Sequence, residues 1–95
     1  KIPEISDLNV LKIYQRNGIA SKLMDKAEQA ISERSNIAGI GVGLTKDYGP
    51  AQIMYVKRGY IPDGLGLSYN ERLISYGENV RVDDDLIICL TKQLK

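Results

Sequence analysis

The chain has 95 residues, 43% hydrophobic and 26% charged, with a net charge of +1, which is ordinary for one small globular domain and too neutral to draw nucleic acid or a membrane surface by charge. One cysteine, Cys89, allows no internal disulfide, and the absence of histidine excludes a histidine-based triad and a zinc site of the usual ligands. Acid-base chemistry must then come from Asp, Glu, Tyr, Lys, water or the thiol. No apolar run is long enough to span a bilayer and Lys1-Ile2-Pro3-Glu4 is no signal peptide, so a reducing, cytoplasmic setting is expected. The first residue is lysine, which fits a piece of a longer protein.

In chain order, Ile2 to Leu11 reads as an extended segment with one slip in its alternation near Ser6 to Leu8, the mark of a bulge. The turn Gln15-Arg16-Asn17-Gly18-Ile19-Ala20 follows. Apolar residues then recur at Ile19, Ala20, Leu23, Met24, Ala27, Ala30 and Ile31, the spacing of one face of a helix that runs to about Arg34. The turn is therefore a helix N-terminus. Its amides lack intrahelical partners and carry the positive end of the helix dipole, so with Gly18 permitting close approach, and Lys12, Arg16 and Lys22 nearby, it can hold a phosphate. Many such helix starts bind nothing.

Ile37 to Leu44 reads as a strand buried on both faces, completing a β-α-β unit. Its glycines, Gly39, Gly41 and Gly43, fit neither a dinucleotide fingerprint nor a P-loop, and mark close backbone approach or a kink. Asp47-Tyr48-Gly49-Pro50 is a turn with Pro50 opening a second helix to about Arg58, on which Ala51, Met54, Tyr55 and Arg58 share a side. Gly59 caps that helix. Tyr60-Ile61 starts an extended segment interrupted by Pro62-Asp63-Gly64; Leu67 to Tyr69 and Arg72 to Ser75 are candidate paired strands around Asn70-Glu71, and Leu86 to Thr91 is a final buried strand. Asp83 to Asp85 is a solvated turn rather than a cation site, since adjacent strand side chains point in alternate directions.

Two motifs in this order, Gln15-x-x-Gly18-x-Ala20 after a Leu8-Asn9-Val10 strand and Ala51, Tyr55, Gly59-Tyr60 further on, resemble the GNAT superfamily of acetyl-CoA-dependent N-acetyltransferases. The resemblance implies an α/β fold, a mixed sheet flanked by helices, with residues 1–95 forming a single domain that lacks the family's first strands. It implies acetyl-CoA as acetyl donor and no metal. Gln15, Arg16, Asn17, Gly18, Ile19 and Ala20 would hold the pyrophosphate, and Leu8, Val10 and Leu11 would lend backbone to the pantetheine arm and thioester carbonyl. Tyr55 would protonate the departing thiolate, with a packing tyrosine as the alternative. Glu4 matches the general base of histone-acetylating members, with a solvated strand glutamate as the alternative. Tyr48, Lys12 and Arg16 depart from the residues common at their positions.

The implied reaction is direct transfer of an acetyl group to a primary amine on a small molecule or peptide. The rival is a catalytically silent CoA-binding or interaction module. Cys89, within Leu86-Ile87-Ile88-Cys89-Leu90, reads as a buried structural thiol. Because the family pairs a further strand beside Leu8 to Val10, Ile2 to Leu11 is expected to be an open edge, and the chain to form a homodimer or to pair with its missing N-terminal segment.

Overall fold

The computed structural model describes residues 2–5 and 19–95. Five strands form one mixed sheet: β1 (Glu4–Ile5), β2 (Ile37–Gly43), β3 (Ile61–Tyr69), β4 (Arg72–Leu73) and β5 (Leu86–Gln93). Helix α1 (Ile19–Ser32) lies between β1 and β2, and α2 (Gly49–Lys57) between β2 and β3. The spatial order is β1-β2-β5-β3-β4. The β1–β2 pair is parallel, as a connection through a helix requires, and the remaining pairs are antiparallel. The mixed α/β architecture with flanking helices is the expected fold class. β1 takes the outer position among the described strands, and residues 6–11 of the expected edge lie outside them.

The period of two in β2 decides where the core sits. Ala38, Ile40 and Val42 are buried with Met24 and Ile31 of α1, Ala51 and Tyr55 of α2, Tyr60 and Leu90. Both helices thus pack on one face of the sheet. Each of the large side chains here contributes about 1.5–3 kcal/mol on leaving water. The apolar stripe of α1 is narrower than its sequence spacing predicts: Met24 and Ile31 are buried, but Leu23 is 37% exposed and Ala30 is also exposed. A helix lying on a sheet buries only the side chains nearest the contact line.

On the other face, Gly39 and Gly41 leave room for neighbours that a side chain would displace. A Cβ on Gly39 would come within 3.2 Å of Ile2 Cγ2, and one on Gly41 within 2.9 Å of Ile87 Cδ1. Close approach is therefore the reason for both glycines. The expected break at Pro62-Asp63-Gly64 is a bulge, not an end. β3 pairs with β5 at Ile61↔Thr91 and Pro62↔Leu90, then resumes at Leu67↔Ile88, with Gly64 and Gly66 at φ 84° and 85° and Leu65 N–H donating to Asp63 Oδ1 at 2.9 Å. The β3–β4 hairpin turns at Asn70 (φ 50°) and Glu71 (φ 65°), the two left-handed positions of a tight hairpin. No described helix is long and apolar enough to cross a membrane.

Candidate active site around Tyr55

Tyr55 sits on α2, whose start and stop are both legible. Pro50 occupies the first turn, and Gln52 Nε2 donates to Gly43 O at 2.7 Å, tying the helix to the end of β2. The helix ends in a Schellman arrangement: Tyr60 N–H donates to Tyr55 O at 3.0 Å and Gly59 N–H to Val56 O at 3.0 Å, with Gly59 at φ 102°. That arrangement folds the chain back so that the residue after the glycine packs on the last turn. Here Tyr60 meets Tyr55, ring centroids 6.1 Å apart and planes at 61°. Both tyrosines are fully buried.

The Tyr55 hydroxyl is buried and has no hydrogen-bond partner among the described residues. Buried tyrosine hydroxyls usually find one, because leaving such a donor unsatisfied costs roughly 1–3 kcal/mol. Burial also raises the phenol's pKa by disfavouring tyrosinate, so the group holds its proton.

Tyr60, by contrast, is satisfied. Its hydroxyl donates to Glu28 Oε2 at 2.8 Å, and the same oxygen accepts from Arg58 Nε at 3.2 Å. Glu28 Oε1 accepts from Arg58 Nη2 and from Lys92 Nζ, each at 3.0 Å. Lys92 Nζ also lies 5.6 Å from the centre of the Tyr60 ring. Arg58 reaches further along α1, to Asp25 Oδ1 at 2.7 Å and Ser21 O at 3.4 Å. Burial alone would raise the Glu28 pKa, but hydrogen bonds from Arg58, Lys92 and Tyr60 outweigh it and leave the carboxyl below its ordinary value.

This cluster was not among the sequence-derived site residues. A signal existed: Arg58 falls on the same side of α2 as Ala51 and Tyr55, and a cation on a buried helix face needs a carboxylate.

Glu4 lies on the opposite side of the sheet from Tyr55. It is exposed, registers with Gly39, and lines an open groove with Ile2, Asp63, Leu65, Ile87 and Cys89 that no described helix covers. The structure therefore does not bring Glu4 and Tyr55 together. Cys89 is half-buried rather than buried, because it alternates with Ile88 and Leu90 and faces this groove. Burial, then the charges of Glu4 and Asp63, push its thiol pKa up, away from a reactive thiolate.

The expected phosphate turn falls mostly outside the described residues, as do Leu8, Val10, Leu11, Gln15, Arg16, Asn17 and Gly18; Ile19 and Ala20 open α1. Asp83 to Asp85 forms a hydrogen-bonded turn: Asp83 accepts from Tyr69 Oη at 2.7 Å and from Asp85 N–H at 3.0 Å. Among the described residues no group of three or more His, Cys, Asp or Glu could hold a metal ion.

The family model for the acetyltransferase (GNAT) domain matches residues 2–76. The chain belongs to the GNAT acetyltransferase family. The match runs from β1 through β4, so the two sequence motifs and Glu28, Tyr55, Arg58 and Tyr60 fall within it, while Lys92 on β5 lies beyond it. Neither the comparison with curated proteins nor that with solved structures gave a match.

Proposed function

We propose that this GNAT domain transfers an acetyl group from acetyl-CoA directly to a primary amine, with Tyr55 as the proton donor to the departing sulfur. The single observation that carries the reading is the buried Tyr55 hydroxyl, a donor unspent among the described residues in an otherwise well-satisfied core. Acetyl-CoA supplies an activated thioester and a thiolate leaving group. Tyr55 supplies the proton, held ready because burial keeps the phenol neutral.

A free phenol near ~10 is a weaker acid than a thiol near ~8.5, which at first sight disfavours the transfer. The same apolar surroundings that penalise tyrosinate also penalise a thiolate beside it, so the two groups shift together and the transfer stays uphill by only about 2 kcal/mol, a gap that proton transfer concerted with C–S cleavage can cross. The α1 N-terminus supports phosphate binding, since its first turn carries no acidic side chain to offset the helix dipole. Glu4 faces the other side of the sheet from Tyr55, so the proton of an amine attacking beside Tyr55 passes to water rather than directly to Glu4.

The test measures thiol release from acetyl-CoA with a panel of primary amines (spermidine, lysine, glucosamine, kanamycin and a peptide N-terminus), beside CoA binding. Tyr55→Phe keeps the ring and removes the proton. Turnover should fall ~10²-fold or more with CoA affinity nearly unchanged. CoA binding with no turnover by the parent chain on any amine would favour the silent binding module, and a fully active Tyr55→Phe would leave Tyr55 as a packing residue.

A further inference from the structure

We infer that Glu28 is a positioning residue for Tyr55, acting through Tyr60, and that its clamp on Arg58 ties the setting of that phenol to the first turns of α1. The inference rests on the proposed role of Tyr55 as proton donor.

Backbone geometry brings the two tyrosines together but does not by itself set the torsions of their buried rings. The Schellman hydrogen bond from Tyr60 N–H to Tyr55 O fixes the spacing of the two Cα atoms, not the side-chain torsions. The Tyr60 ring gains its orientation at the far end, where its hydroxyl donates to Glu28 Oε2 at 2.8 Å. Tyr55 is buried against that ring and, among the described residues, has no hydrogen bond of its own to set its angle. A change in the Tyr60 ring is therefore transmitted to Tyr55 by contact.

Glu28 is itself held without slack. Arg58 grips both carboxylate oxygens, Lys92 holds one of them, and the carboxylate is only 12% exposed. A carboxylate so enclosed is a poor way to gain stability, since apolar side chains of like volume commonly serve as well or better. Its four hydrogen bonds do fix directions, which apolar packing does less well.

The clamp also has reach. The guanidinium that grips Glu28 donates to Asp25 Oδ1 and to Ser21 O on the preceding turns of α1. Ser21 stands two residues after the start of the helix whose N-terminus is proposed to receive the CoA phosphates. Arg58 itself follows Tyr55 by three residues at the end of α2. One side chain thus spans from the phosphate end of α1 to the helix end that carries the phenol. Fixing both ends of the donor relative to each other is what an in-place proton donor needs, because small misplacements cost rate steeply.

The experiment compares Tyr60→Phe, Glu28→Gln and Glu28→Ala, each alone and combined with Tyr55→Phe, by kcat and acetyl-CoA KM with the best amine of the panel. A second readout is the ¹⁹F spectrum of the 3-fluorotyrosine-labelled chain, its Tyr55 line assigned by loss in Tyr55→Phe. Tyr60→Phe keeps the ring and releases it from Glu28, so kcat should fall roughly 10-fold while KM stays within about twofold. Glu28→Gln keeps an oxygen for the Tyr60 hydroxyl and should retain more kcat than Glu28→Ala. The Tyr55 fluorine line should shift or broaden, and the kcat losses should vanish in the Tyr55→Phe background. Unchanged kcat and fluorine line in Tyr60→Phe, with only thermal stability lost, would make the clamp structural and overturn the inference. Losses that persist undiminished beside Tyr55→Phe would overturn it too, leaving the role of Tyr55 standing. If Tyr55→Phe is fully active, or no amine turns over, the proposed function fails instead, and the fluorine line alone decides whether Glu28 sets Tyr55.

Discussion

Tyr55 and Tyr60 meet edge-on at 6.1 Å because Gly59 lies between them at φ 102°, a conformation that turns the chain back onto the helix it has just left. A Cβ on Gly59 would meet only Lys92 side-chain carbons, the nearest at 3.7 Å, so alanine would fit the space and strain only the backbone. Gly59→Ala should cost about 1–2 kcal/mol, a Tm drop of several degrees for a domain of this size. Thermal unfolding followed by circular dichroism measures it. An unchanged Tm would mean that the helix ends without needing the left-handed residue.

The Glu28 cluster predicts a pH dependence with a definite sign. The folded carboxyl has a pKa below its ordinary value of 4.5, so its contribution is complete above that pH and is lost as the pH falls through the lowered folded value. Glu28→Gln cannot titrate. At neutral pH the wild type should be more stable than Glu28→Gln by roughly 2 kcal/mol, and the two should converge in acid. Urea unfolding of both proteins between pH 7 and 3 is the check, and a gap that stays constant across that range would rule out Glu28 as the titrating group.

Gly43 marks a third dependence. The Tyr48 ring lies over it so closely that a Cβ would collide with ring carbons, its distance to Cγ being only 2.9 Å, while the Tyr48 hydroxyl reaches Asp84 Oδ1 at 3.2 Å. Gly43→Ala should destabilise by about 1–3 kcal/mol, since the ring must move against a packed neighbourhood. In a Tyr48→Ala background the same substitution should cost much less. Equal costs in the two backgrounds would show that the strain lies elsewhere than the ring.

What was legible in the sequence was mainly local. The stop at Gly59, the start near Pro50, the hairpin at Asn70-Glu71 and the irregularity after Pro62, though not that it is a bulge, all follow from φ preferences and missing donors, which act within a few residues. The core face of α2 followed from period, whereas β2 reads in the sequence as buried on both faces and only Ala38, Ile40 and Val42 meet the helices. What periodicity does not encode is which element lies opposite: Glu28 meets partners 30, 32 and 64 residues away, and no local pattern pairs them. Likewise the resemblance implies catalytic roles for both Glu4 and Tyr55, yet the pleat of β1 turns Glu4 to the face away from the helices. Cys89 looked interior because its neighbours are apolar, but a strand buried on one face shows alternate residues to the other side.

The last prediction concerns the phosphate end of α1. We propose that backbone amides of the Gln15 to Ala20 turn, more than its side-chain charge, hold the CoA pyrophosphate. α1 begins at Ile19, directly after Gly18 in the chain, and no acidic side chain in its first turn competes for the amides. A solvated ion pair is worth about 0.2–1 kcal/mol, so Arg16→Ala should weaken CoA by roughly fivefold at most. Gly18→Val places two methyl groups where phosphate must approach the backbone, and should weaken CoA by ~10²-fold or more. Isothermal titration with CoA and with dephospho-CoA separates the pyrophosphate from the 3′-phosphate: both ligands should lose affinity alike in Gly18→Val. Circular dichroism melts should confirm that each variant remains folded. If Gly18→Val binds CoA as tightly as the parent chain, the pyrophosphate sits elsewhere; if Arg16→Ala is the more damaging change, side-chain charge dominates over the amides.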